Sequence, residues 1–205
     1  LATLILFFPS LFGEGYASIK ILASSNSNQL FENSILHDFT SNPWFILLFI
    51  TLTMMLKVFA TAITLGSGGN GGNFAPSLFV GAYAGFVFSR FINLTHFTTL
   101  PESNFTLVGM AGILSGLYHA PLTALFLIAE ITGGYNLLIP LMIVSSISYA
   151  ISKHFEKFSM DAKNLASSGL MFTTDKDKNI LTTISTSRLV ETDFIKIYPM
   201  QTVGE

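Results

Sequence analysis

Residues 66–76 read Gly66-Ser67-Gly68-Gly69-Asn70-Gly71-Gly72-Asn73-Phe74-Ala75-Pro76, with a long apolar segment on either side. The five glycines free the backbone for a tight, irregular path. Pro76 suits the first turn of a helix, where its missing N–H removes no intrahelical bond. A helix starting near Asn73 or Phe74 points unpaired backbone donors, and the positive end of its dipole, back at the glycine loop. Such an end attracts anions. No Lys or Arg stands in the loop itself. A dipole end without full charges can hold a small anion weakly enough to let it go again, which conduction requires.

The rest of the chain places that junction in a membrane. Apolar residues make up 50% of the 205 and charged residues 11%, and mean hydropathy is +0.59, outside the balance of soluble domains. Twenty Phe suit lipid-facing and helix-packing surfaces. A net charge of −2 implies no nucleic-acid partner. The absence of Cys excludes disulfides and thiolate metal sites. The chain opens at Leu1 inside an apolar run, without the charged start of a signal peptide, and is read as a fragment.

Spanning a bilayer takes about 20 apolar helical residues. Residues 1–12 read as the end of one such run, broken at 12–16 before a short amphipathic piece to Ala23. Residues 24–42 are polar and rich in Ser and Asn, hence a loop. A helix is expected from Asn42 or Pro43 to about Leu65, and a second from about 74 to 92, ending near Arg90. After a polar loop at 93–104 come three apolar helices, 105–118, 121–132 and 135–152, broken at Pro121 and at Gly133-Gly134. The middle one is too short to span. Irregular backbone at membrane depth is tolerated only inside protein or beside a cavity, and interrupted segments of this kind point to a transport site near the midplane. Gly81 and Gly85, and Gly112 and Gly116, are spaced four apart and read as ordinary helix-packing glycines. Lys153, Lys157 and Lys163 follow the last long helix while loop 93–104 has no Lys or Arg, so the positive-inside rule puts the C-terminal side in the cytoplasm.

Three motifs are recognisable. Gly72-Asn73-Phe74-Ala75-Pro76-Ser77-Leu78-Phe79 resembles the G-x-F-x-P segment of the CLC family of chloride channels and proton-coupled chloride transporters. Gly109-Met110-Ala111-Gly112, then Ala120-Pro121-Leu122-Thr123-Ala124, and the run from Glu130 through Asn136 and Pro140 to Ile143 resemble that family's later helices in order and spacing. Residues 191–205, with Thr202-Val203 after Pro199, resemble the first strand of a CBS domain.

The resemblance implies an all-α membrane protein of tilted and broken transmembrane helices, the second half of an inverted-repeat CLC-type fold. Residues 1–165 would be the membrane domain, 166–190 a cytoplasmic linker, and 191–205 the truncated start of a CBS-like domain. It implies chloride transport rather than enzyme activity, without a cofactor. Proton-coupled exchange is the expected mode. The alternatives are a passive chloride channel or a broken-helix secondary transporter for another solute. Expected partners are chloride, membrane lipid and a second copy of the chain, paired through helices 121–132 and 135–152, with an adenine nucleotide as a candidate ligand of the CBS region. The expected location is a bacterial inner membrane, crossed several times.

The implied chloride ligands are Gly72, Asn73, Phe74 and Ala75, with the backbone amides of Asn73 and Phe74 nearest the ion. The family's gating glutamate, proton-relay glutamate and chloride-binding serine belong to its first repeat and have no counterpart in these residues. Two departures stand out. The family has an apolar residue where Asn73 stands, and an Asn side chain at a helix start can take a backbone donor from the anion. The family's chloride-coordinating tyrosine falls near Asp161, so Asp161 is read either as a proton-linked substitute or as a residue facing the cytoplasm.

Other charged groups are weighed by their surroundings. At mid-membrane each of Lys57, Arg90 and Glu130 costs at least roughly 2.5 kcal/mol, so each should face protein, water or an interface. Lys57 is read first as a buried pair or snorkelling side chain, with Glu130 as candidate partner, and second as an electrostatic lure for anions. Arg90 is read as an interfacial anchor. His119 and Glu130 cannot share a metal, because helix geometry puts them about 16 Å apart with Pro121 between them. The glycine loop lacks the Gly-Lys-Ser/Thr ending of a nucleotide-binding loop.

Overall fold

The computed structural model describes residues 2–24 and 42–168, with 175, 177, 180, 181 and 184. All regular structure among them is helical. Two units are distinguished, Leu1–Ser159 and Met160–Glu205. The expected loop at 24–42, the linker at 166–190 and the CBS-like strand at 191–205 lie largely or wholly outside the described residues.

The first unit holds α1 (Ala2–Phe7), a 3-10 turn at Pro9–Leu11, α2 (Tyr16–Ala23), α3 (Pro43–Gly66), α4 (Phe74–Leu94), α5 (Glu102–Tyr118), α6 (Pro121–Ile131) and α7 (Leu138–Phe155). Three helices are long and apolar enough to cross a bilayer: Pro43–Gly66, Phe74–Leu94 and the helical stretch beginning at Leu138. At 11 residues, α6 is about 16 Å long and cannot cross. The second unit begins with α8 (Met160–Ser167).

Local chemistry explains these boundaries. Asn42 caps α3, its Oδ1 accepting from Trp44 N at 3.0 Å, and Pro43 takes the first helical position. Along α3 the hydroxyls of Thr51, Thr53, Thr61 and Thr64 each donate to the carbonyl four residues back, at 2.8–2.9 Å. These bonds keep the polar groups satisfied in an apolar medium. Helix α5 stops where His119 takes a left-handed φ of 54°, and Pro121 then opens α6 in a new direction. His119 is thus the residue that ends α5. The helix expected over 135–152 runs instead over Leu138–Phe155, and two further boundaries, the end of α4 and the start of α5, differ through one cluster. Asn93 Oδ1 accepts from Leu100 N at 2.7 Å and its Nδ2 donates to Leu100 O at 3.0 Å. That closure carries α4 past Arg90 to Leu94. Glu102 opens α5 three residues earlier than expected, its carboxylate suited to the first turn and accepting from Arg90 at 3.1 Å.

The core centres on α4. Leu78, Phe79, Ala82, Tyr83 and Phe86 form one buried stripe at helical spacing. Its other face meets α5 at backbone distance. A Cβ on Gly81 would lie 2.7 Å from Gly109 O, and one on Gly85 would strike Phe105 O. Small residues therefore set the α4–α5 approach. Between α5 and α7 the same device is reinforced by hydroxyls. Ser148 and Ser152 donate to Gly112 O and Gly116 O at 2.7 and 2.6 Å, and Ser115 donates to Ser145 O at 2.6 Å. Both glycine pairs are packing residues, as read from their spacing.

Candidate functional site

The loop between α3 and α4 turns back on the end of α3. Gly68 N donates to Leu65 O and Gly69 N to Thr64 O, with Gly68 at a left-handed φ of 83°. A Cβ on Gly69 would lie 2.7 Å from Thr64 O, so this turn needs glycine. Beyond it the chain runs into α4 without backbone bonds among the described residues. Asn73 is the N-cap residue, and its carbonyl accepts from Ser77 N at 3.0 Å and from Ser77 Oγ at 2.6 Å.

The expected competition from the Asn73 side chain does not occur. Asn73 sits at φ −85°, ψ −12°, and its side chain makes no capping bond. In the α-region at this position its carboxamide is not carried to the second or third amide of the helix, as an extended N-cap residue would carry it. The N–H groups of Gly72, Asn73, Phe74 and Ala75 consequently have no acceptor among the described residues. Pro76 has none to offer. Four successive donors remain at the positive end of a 21-residue helix.

Three of these four residues, Gly72, Phe74 and Ala75, line a cavity of about 620 Å³, and Asn73 is not among its lining residues. Its walls are the loop at 70–72, the first turn of α4 at 74–76, the last turns of α3 with Lys57, Thr61 and Thr64, and the turn at 11–14. Two full charges line it, Lys57 and Glu14. Lys57 is 3% exposed, its Nζ donating to Gly13 O at 2.8 Å and to Leu11 O at 3.2 Å, 4.9 Å from the centre of the Phe79 ring. The ring stacks on Tyr83 at 3.9 Å. The expected partner Glu130 is not used: it is exposed on α6, and Lys57 is held by carbonyls instead. Carbonyl oxygens at the end of a 3-10 turn are otherwise short of donors, so the ammonium answers a need there. Sequence reading missed this tie. A lysine in an apolar helix signals that a partner exists, but nothing marks a carbonyl 44 or 46 positions away.

The structure brings Gly72, Asn73, Phe74 and Ala75 together at one helix start. Asp161 is exposed in the first turn of α8, in the second unit. Arg90 is a partly exposed side chain that pairs with Glu102, away from the cavity lining. Among the described residues no group of His, Asp and Glu could hold a metal.

Comparison with known proteins gives a consistent result. The family model described as voltage gated chloride channel matches residues 1–153. A voltage-gated ClC-type chloride channel ClcB of Escherichia coli strain SMS-3-5 is 31% identical over 166 residues, covering 78% of this chain and 34% of the relative. A ClcB-like protein of Ralstonia nicotianae is 33% identical over 135 residues, covering 65% of this chain and 31% of the relative. The chloride channel protein CLC-e of Arabidopsis thaliana is 38% identical over 97 residues, covering 42% and 14%. The chain thus spans about a third of the length of the ClcB relatives it matches. No solved structure matches it significantly.

Proposed function

Since the chain belongs to the voltage-gated chloride channel family, we propose that it forms part of a chloride transport path, with the anion held by the amides of Gly72, Asn73, Phe74 and Ala75. Members of that family are transporters and not enzymes, and the apolar helices here fit a multi-pass integral membrane protein. The observation that carries the proposal is the row of four N–H groups at the start of α4 without an acceptor among the described residues, three of them on residues that line a cavity. Water is scarce at membrane depth, and unpaired donors there need an acceptor. A small anion supplies one, and the absence of a lysine or arginine from the loop keeps binding weak enough for release.

Exchange of chloride against protons is the proposed mode. Asp161, exposed in the first turn of α8, is proposed as the proton-linked residue that replaces the family's tyrosine, since a carboxylate that meets an anion must be neutral to tolerate it. The exposed apolar residues of α6 and α7, among them Leu122, Phe126, Ile139 and Ile143, are the proposed pairing face with a second copy. The C-terminus is proposed to be cytoplasmic in a bacterial inner membrane, with a CBS-like region following that takes an adenine nucleotide. The test is reconstitution of the purified full-length protein in liposomes under a chloride gradient. Exchange predicts chloride flux with an opposing change of internal pH. Flux without a pH change removes the exchanger, and the absence of chloride flux removes the proposal.

A further inference from the structure

Among the four residues of the amide row, Phe74 carries the one large apolar side chain. It lines the cavity and is 43% exposed. A benzyl group with that much open space has several rotamers to choose from unless a neighbour restricts it. The neighbour here is Tyr118, the last residue of α5. The two ring centres lie 6.0 Å apart with the planes at 50°, inside the range of paired aromatic rings. No other ring meets Phe74 among the described residues. Tyr118 is partly buried and does not line the cavity, so it stands behind Phe74 as seen from there. The end of α5 that carries it is pinned. Ser152 of α7 donates to Gly116 O at 2.6 Å, and His119 turns the chain at φ 54° immediately after Tyr118.

We infer that Tyr118 is a positioning residue for anion selectivity. By holding the Phe74 ring at one tilt, it makes the amide row discriminate between chloride and larger monovalent anions such as iodide. The edge of an aromatic ring is positive and its face negative. The tilt therefore decides which part of Phe74 an anion meets, and how much room it finds before the amides. Tyr118 touches no ion and acts only through Phe74. Once its ring is removed, Phe74 swings, the space adapts to the larger ion and discrimination falls. This inference rests on reading the start of α4 as an anion site.

The test is titration calorimetry of the full-length protein with chloride and with iodide, for wild type, Tyr118→Leu, Tyr118→Phe, Phe74→Ala and the pair Tyr118→Leu with Phe74→Ala. Leu keeps apolar bulk and loses the flat ring, while Phe keeps the ring and loses the hydroxyl. Tyr118→Leu should raise iodide affinity relative to chloride by about two- to tenfold, the range of one aromatic pair. Tyr118→Phe should keep the wild-type ratio. Phe74→Ala should move the ratio in the same direction as Tyr118→Leu, and it decides the matter alone if the Leu variant fails to fold. With Phe74 already truncated, Tyr118→Leu should add nothing, since no ring is left to position. A merely structural role for Tyr118 would weaken both anions alike and leave the ratio unmoved. That result overturns this inference and leaves the proposed function standing, as does an unmoved ratio in Phe74→Ala or a full further shift in the pair. Wild type that binds neither anion overturns both.

Discussion

Replacing Asn73 with proline removes one backbone donor and almost nothing else. Asn73 sits at φ −85°, within reach of the proline value of about −65 ± 15°. Its N–H has no acceptor among the described residues, so no internal hydrogen bond is lost. Its side chain makes no capping bond, so truncating the carboxamide costs the helix nothing there. The carbonyl that Ser77 uses twice is retained. What disappears is one hydrogen bond to an anion, worth about 1.5–3 kcal/mol, or a factor of roughly 10 to 150 in affinity. Asn73→Ile changes the side chain and keeps the amide, and should leave chloride affinity within about threefold, since surface side chains contribute a few tenths of a kcal/mol. Titration calorimetry of chloride into the purified full-length protein separates the two, with thermal unfolding as a control for folding. Equal losses in both variants would show that the backbone at Asn73 does not touch the ion.

Other perturbations test the frame around the site. Gly85→Val drives a side chain into Phe105 O on α5 and should lower stability by about 1–3 kcal/mol in detergent unfolding, as overpacking does. An unchanged midpoint would mean that α4 and α5 are not in backbone contact. Phe79→Ala removes a fully buried ring from between Lys57 and Tyr83 and should cost about 3 kcal/mol, the low end for buried aromatics, because lipid competes for apolar contact. Asn93→Ala breaks both bonds to Leu100 and should cost about 1–3 kcal/mol and speed hydrogen exchange at Leu100. Glu14→Gln removes a negative charge from the cavity lining and should tighten chloride binding by about two- to threefold, since the group is exposed and screened.

Much of the fold was legible because its signals are local. Asn42-Pro43 announces the start of α3, Pro121 and Gly133-Gly134 the ends of α6, and the glycine loop the start of α4. Each of these depends on one or two residues whose backbone preferences are strong. The helix start after the glycines was legible for the same reason, and unpaired amides follow from it. Three features were not. The extension of α4 to Leu94 depends on Asn93 reaching Leu100, a contact without a periodic pattern. The free state of the Asn73 side chain depends on its backbone angles, which residue type alone leaves open. The true partners of Lys57 are main-chain oxygens, which every residue carries, so sequence cannot single them out.

The central claim is that backbone amides at the start of α4 bind the transported anion. Its most direct test is the amide chemical shifts of Gly72, Asn73, Phe74 and Ala75 in the isotope-labelled full-length protein as chloride replaces an impermeant anion. The account predicts that these four resonances move together along one saturating curve, while amides at the far end of α4, such as Asn93, stay still. Saturating shifts elsewhere in the protein, with those four unmoved, would contradict it.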